Sequence, residues 1–172
     1  SEALEEVVYE GYGPGGVAVV CEALTDNRNR TAPEIRKIFE MCDGKLGTVG
    51  CVAWMFESKG FFLIPGSQID EDRLLEIALE AGADDVRRDA DNFEVVCDPG
   101  AFQAVGKALA EAGLKPEVSK ITRLPKTTVD LDADSARKVL KLMERLDEHE
   151  DVQNVASNFN IPDDVMAAIG ES

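Results

Sequence analysis

Glu10-Gly11-Tyr12-Gly13-Pro14-Gly15-Gly16 joins two apolar runs, Leu4 to Tyr9 before it and Val17-Ala18-Val19-Val20-Cys21 after it. By spacing alone, Gly11, Gly13 and Gly16 match the G-x-G-x-x-G pattern of dinucleotide-binding loops. That chemistry needs a strand before the glycines and a helix after them, so that the N–H groups of the helix terminus face the pyrophosphate. The run that follows here is β-branched and short, which predicts a second strand. Pro14 also removes one N–H from the supposed cradle. Gly11, Gly13, Gly15 and Gly16 are therefore read as a structural turn between two strands, where positive φ is cheap only for glycine.

The second strand runs into Thr25-Asp26-Asn27-Arg28-Asn29-Arg30-Thr31. Thr31 and Glu34 have the spacing of a capping box, with Pro33 in the first turn. Ile35, Ile38, Phe39 and Cys42 then fall at helical spacing, predicting a helix over 32–42 with a buried stripe. On that reading Arg28 and Arg30 stand just ahead of a helix N-terminus, where free N–H groups and the dipole favour anions such as phosphate. The same arginines are equally well placed to pair with Asp26 and Glu34 as a solvated loop.

The 172 residues carry 34 acidic and 18 basic side chains, a formal net charge of −16. Such a chain is repelled at long range by nucleic acid and by anionic membranes, so any nucleic-acid contact needs a local basic patch or a further basic segment. The hydrophobic fraction of 44% is ample for a core, and no apolar run approaches membrane-spanning length. Cys21, Cys42, Cys51 and Cys97 show no C-x-x-C spacing and read as reduced, mostly buried hydrophobes. His149 is the single histidine and lies in an acidic run, leaving almost no material for zinc sites or histidine-based triads. Carboxylate pairs such as Asp84-Asp85 and Asp163-Asp164 fall where helices or strands begin and are read as caps or solvated charges. No catalytic residue, metal or cofactor is expected. Neither a signal-peptide nor an Arg-rich transit pattern is present. The chain begins with Ser1 in place of methionine, so a fragment or processed product is expected.

Further along, Cys51 to Phe56 reads as a strand, Ser58-Lys59-Gly60 as a break, and Phe61 to Ile64 as a resumed extended run. A helix capped by Asp70, a hairpin of 84–88 with 93–97, a helix opened by Asp98-Pro99 and a strand over 117–124 complete a β-α-β-β-α-β order. Strand-like 127–131, a helix over about 133–147, strand-like 152–159 and a short helix after Pro162 repeat the theme when joined to 17–56, with Leu4 to Tyr9 as an extra strand. The fold class expected is α+β, with two ferredoxin-like domains, one inserted into the other. Residues 1–58 with 127–172 form the discontinuous domain and 59–126 the insert.

Residues 10–18, the run Asp26-Asn27-Arg28-Asn29-Arg30-Thr31, Gly44-Lys45-Leu46-Gly47 and Val52-Ala53-Trp54-Met55-Phe56 together resemble the YebC/PmpR family in order and spacing. The resemblance is sharp over about residues 9–60 and weaker beyond; Cys51 stands where a serine is expected. It implies a three-domain protein whose first, helical and basic domain would precede Ser1. It also implies a transcriptional regulator that binds DNA or, on a second description of the family, a ribosome-associated translation factor relieving stalls at proline-rich stretches. No enzymatic activity, metal or cofactor goes with the family, and the bacterial cytoplasm or, for a mitochondrial relative, the matrix is its setting. Candidate contacts to DNA or ribosomal RNA are Asn27, Arg28, Asn29, Arg30, Thr31, Arg36, Lys37 and Lys45. A function of another class, sensing of a small effector in a cleft lined by Tyr12 and the glycine turn, rests on fold analogy.

Overall fold

The computed structural model describes residues 3–170. The chain divides into two compact units, one made of residues up to Glu57 and from Leu124 onward, the other of Ser58–Arg123. Each holds one four-stranded antiparallel sheet, so the architecture is α+β, consistent with two ferredoxin-like folds.

In the first unit, β1 (Glu5–Tyr12) and β2 (Ala18–Thr25) form a hairpin around the glycine turn, whose Gly15 and Gly16 adopt φ of 76° and 81°. A side chain at Gly15 would also meet Leu131, so two constraints exclude a Cβ there. Helix α1 (Arg28–Met41) leads to the edge strand β3 (Lys45–Leu46), and α4 (Ala133–Glu148) leads to β9 (Val152–Ser157). The sheet order is β3-β1-β2-β9. The N-terminal strand, expected to be an addition, is thus central. It pairs along its whole length with β2 and occupies the place that the segment before the second helix has in a ferredoxin fold. That segment, expected as a strand over 127–131, contributes only β8 (Val129–Asp130), which pairs in parallel with β10 (Phe159–Asn160) in a separate ribbon.

Residues Val17 through Cys21 are all fully buried, because β2 is covered on both faces. Val19 and Cys21 point to α1 and α4, meeting Ile35, Phe39, Val139, Leu142 and Leu146. Ala18 and Val20 point to the opposite, outer face, where Val52, Phe56 and Ala156 close over them. A continuous apolar run, in place of alternation, is what such a strand requires.

The second unit follows β4 (Phe56–Pro65), α2 (Glu71–Glu80), β5 (Asp85–Asp89), β6 (Asn92–Cys97), α3 (Phe102–Glu111) and β7 (Val118–Pro125), with sheet order β5-β6-β4-β7. Asp70 caps α2 through Arg73 N, and Asp98 caps a short 3₁₀ turn ahead of α3. The break expected at 58–60 does not occur. Gly60 lets β4 pass Cys97 and Phe102, where a side chain would collide, and Phe62 stacks on Phe102 with ring centres 4.9 Å apart. The core of this unit is built from its own residues, among them Phe62, Ile64, Leu74, Phe93, Val95, Val105 and Leu109.

Because the first unit's core closes on β1, β2, β9, α1 and α4, a chain in which 61–124 are replaced by a short linker is expected to fold. Urea unfolding followed by Trp54 fluorescence should remain a single cooperative transition, and a gradual, non-cooperative melt would contradict it. In that shortened chain Phe39→Ala should cost about 3–5 kcal/mol.

Candidate nucleic-acid interface

Helix α1 begins four residues earlier than its sequence suggests. Asn27 is the cap, its Oδ1 accepting from Arg30 N at 3.2 Å. Thr31, the expected cap, is instead fully buried inside the helix. Its hydroxyl is 2.7 Å from the Thr25 hydroxyl and donates to Asp151 Oδ2 at 2.9 Å. Asp151 Oδ2 also accepts from Arg30 at 2.6 Å. Arg28 and Arg30 consequently lie in the first helical turn, not ahead of it.

Their charges are already answered. Arg30 faces Asp151 together with Asp26 at 3.7 Å and Glu34 at 3.5 Å, and Arg28 lies 3.8 Å from Glu5. Both alternatives held open by the sequence meet here. The arginines are at the helix terminus, and carboxylates occupy the space around them. Burial alone would raise the Asp151 carboxyl, but the hydrogen bonds from Thr31 and Arg30 and the nearby positive charge outweigh it and hold its pKa below the ordinary aspartate value. Thr31 cannot reach a partner's surface, whereas Asn27 and Asn29 are exposed.

Arg36 and Lys37 on α1 and Lys45 on β3 are exposed and have no ion-pair partner among the described residues. Lys45 stands directly across from Tyr12 on β1. These three are the cations of the expected set with charge available to an external anion.

Sequence reasoning missed a second constellation. Glu10 is 3% exposed on the outer face of β1, and its carboxylate accepts three main-chain N–H bonds, from Gly50 at 2.6 Å, Val52 at 3.1 Å and Ala53 at 2.7 Å. The strand expected over 51–56 is therefore absent. The N–H groups that a ladder would use point at Glu10, and residues Ala53–Met55 form a 3₁₀ turn before β4 starts at Phe56. Trp54 is turned outward, 65% exposed, with its indole N–H donated to Cys51 O at 3.0 Å. A glutamate in a strand carries no local sign of partners 40 residues away.

Burial pushes the Cys21 thiol up to about 12 and raises Cys42 and Cys97, so these sulfurs are poor nucleophiles. Among the described residues no cluster of three or more His, Cys, Asp or Glu side chains could hold a metal. No helix among them is long and apolar enough to cross a membrane.

An α+β chain with this hairpin, this helix terminus and this braced loop matches the family described as TACO1/YebC second and third domain, over residues 4–159. The chain belongs to that family. It is 52% identical over 167 residues to a probable transcriptional regulatory protein of Desulfatibacillum aliphaticivorans, covering 97% of this chain and 66% of the relative. A probable transcriptional regulatory protein of Rhodopirellula baltica is 53% identical, with 96% and 68% covered. The crystal structure of a conserved hypothetical protein from Aquifex aeolicus superposes with a TM-score of 0.87 at 44% identity, covering 95% of this chain and 68% of that one. The chain thus spans about two thirds of the length of these relatives.

Three outcomes follow from these buried and part-buried groups. Thr31→Val, which deletes the hydroxyl shared by Thr25 and Asp151, should lower folding stability by about 1–3 kcal/mol in denaturant titrations. Since the Asp151 pKa is depressed in the folded state, its stabilisation is present above the unfolded value of about 3.9 and is lost as pH falls through the lower folded one. The stability gap between the native chain and Asp151→Asn should be constant near neutrality and shrink below about pH 4. Glu10→Gln, which turns one acceptor into a donor facing main-chain N–H groups, should cost about 1–3 kcal/mol and red-shift Trp54 emission as the loop loosens.

Proposed function

We propose that the chain is part of a non-enzymatic regulator of gene expression that works by contacting nucleic acid, with duplex DNA as its target. The observation that carries this reading is the identity of about half, over nearly the whole chain, with relatives named probable transcriptional regulatory proteins. The exposed cations Arg36, Lys37 and Lys45, with Asn27 and Asn29 at the α1 terminus, support it as backbone contacts that position without reading sequence. Arg28 lies in the first turn of α1, within 3.8 Å of Glu5. Arg30, held by three carboxylates, orders the helix terminus. The net charge of −16 opposes tight binding by this chain alone. The third of its relatives' length that this chain does not span is the natural source of further contacts.

The test is a salt series on duplex DNA. The present chain alone is expected to bind more weakly than the roughly 10⁻⁴–10⁻⁶ M typical of non-specific binders. A form extended to the length of its relatives should bind measurably. Changing Arg36, Lys37 and Lys45 together to alanine in that form should weaken binding. It should also flatten the log–log salt slope by about 0.9 for each phosphate no longer neutralised. Unchanged affinity and slope would remove these residues from the interface.

A further inference from the structure

On the outer face of the first unit's sheet lies a groove of about 430 Å³ whose lining includes Trp54, Met55, Lys126, Thr127 and Asn158. Arg36 and Lys37 of α1 do not line it. Three observations bear on what it holds. Trp54 is an exposed aromatic ring fixed in place: its own N–H is donated to Cys51 O, and the preceding residues hang on the Glu10 carboxylate. A large aromatic ring held toward solvent on a braced loop, with its N–H already engaged, is available as a flat contact face.

Asn158 is the second. It is 5% exposed, its Oδ1 accepts from Ala18 N at 2.8 Å, and its main-chain groups bond Ala18 O and Val129 N. Its side-chain NH₂ has no protein acceptor among the described residues. The Asn158 NH₂ is not among the buried polar atoms left without a partner, so in a residue lining a groove it is open to an acceptor from outside. The third is charge. Lys126 is exposed without an ion-pair partner among the described residues, and its main-chain N–H bonds Met55 O at 3.0 Å, which seats it beside the Trp54 turn. Tyr12 and Lys45 face each other across β1 and β3, and Tyr12 also pairs with Ala18, the residue that Asn158 holds. Opposed residues share a sheet face, so Tyr12 adds a second aromatic at the same end of it, and Lys45 is the one cation common to this face and to the set proposed above for backbone contacts. No carboxylate lines the groove among the described residues.

A flat apolar face, an amide donor, a hydroxyl and nearby ammonium groups complement a ligand that is planar, rich in acceptors and anionic. A peptide would bring as many donors as acceptors, and a duplex hides its base faces in the stack. We propose that this groove binds one or two unpaired nucleotides of single-stranded nucleic acid. A base stacks on Trp54, a base acceptor takes the Asn158 amide, and the phosphate lies toward Lys126. Stacking platforms beside lysines are the general means of holding single strands. The proposal rests on the nucleic-acid reading above and deepens it, adding a strand that is not paired where the α1 patch meets duplex backbone.

Trp54 is the single tryptophan, so its fluorescence reports this groove directly. Titration of the present chain with ten-nucleotide oligothymidylate and oligouridylate at low salt should quench it saturably. Asn158→Asp keeps an oxygen for Ala18 N but replaces the donor by an anionic acceptor, and should weaken oligonucleotide affinity about tenfold or more in a chain that melts at a lower temperature but is still folded at the assay temperature. A second pair of variants avoids dependence on that buried position. With labelled oligonucleotide, Trp54→Ala should weaken affinity about tenfold, whereas Trp54→Phe should keep most of it, since any aromatic face stacks. Oligonucleotide binding by anisotropy without quenching, unchanged affinity in Asn158→Asp or equal weakening in the two Trp54 variants would each overturn the groove assignment. Quenching by a peptide and not by oligonucleotides would overturn it in favour of a protein ligand. Duplex binding that survives any of these results leaves the general nucleic-acid reading standing. Quenching by single strands in an extended chain that ignores duplex DNA would uphold the groove and sink the duplex target.

Discussion

Glu10 places a carboxylate on the outer face of a sheet where it is almost wholly removed from water, and the first unit is arranged to make that tolerable. A buried charge is costly unless it is richly hydrogen-bonded. Three main-chain N–H groups from Gly50, Val52 and Ala53 supply those bonds. In meeting that demand the loop is drawn across the sheet, so that Val52 and Phe56 cover Ala18, Val20 and Ala156 and form a second small core opposite the helices. The same bonds deny these residues a place in a strand. They also leave Trp54 on the outside of a tight 3₁₀ turn, facing solvent with its own N–H engaged. One carboxylate thereby determines the loop's path, the closure of the outer face and the exposure of the aromatic ring.

Asp151 plays a comparable part on the helix side of the sheet. It sits just before β9, takes hydrogen bonds from Thr31 and Arg30, and so ties the start of α1 to the return of the chain after α4. In a protein with 34 acidic residues, carboxylates are never far from an arginine. What matters for an anionic partner is which cations are left over. Arg30 is surrounded, Arg28 has Glu5 within reach, and Arg36, Lys37 and Lys45 remain open. Local availability, more than net charge, describes where such a chain can approach nucleic acid, because screening confines each exposed charge to about 8 Å at physiological salt.

Much of the fold was legible because its signals are local. Asp70 and Asp98 each stand ahead of a helical apolar stripe and each caps as its position suggests. The β-branched run after the glycines could not be a helix, and with the N–H missing at Pro14 that dismissed the dinucleotide reading. The site was harder. Asn27 and Thr31 both satisfy the rule for a cap. The choice between them was made by Asp151 and Thr25, which capture the Thr31 hydroxyl and draw the helix start back a turn. The run 51–56 has every mark of a strand and is not one, because its N–H groups answer to a side chain on another element.

From the sequence alone came the α+β class, the hairpin at the glycine turn, the helices and their buried stripes, and the family resemblance carried by residues 9–60. All of these depend on periodicity, caps and turn chemistry within a few residues. The tertiary structure decided that the N-terminal strand is central, that Thr31 is buried, that Arg30 is already paired and that Glu10 shapes the loop bearing Trp54. It also set Asn158 beside Lys126 and Trp54, residues separated by as many as 104 positions. Such facts arise when distant polar groups must find partners on burial, and that pairing is a property of the packed chain, which no local window of sequence contains.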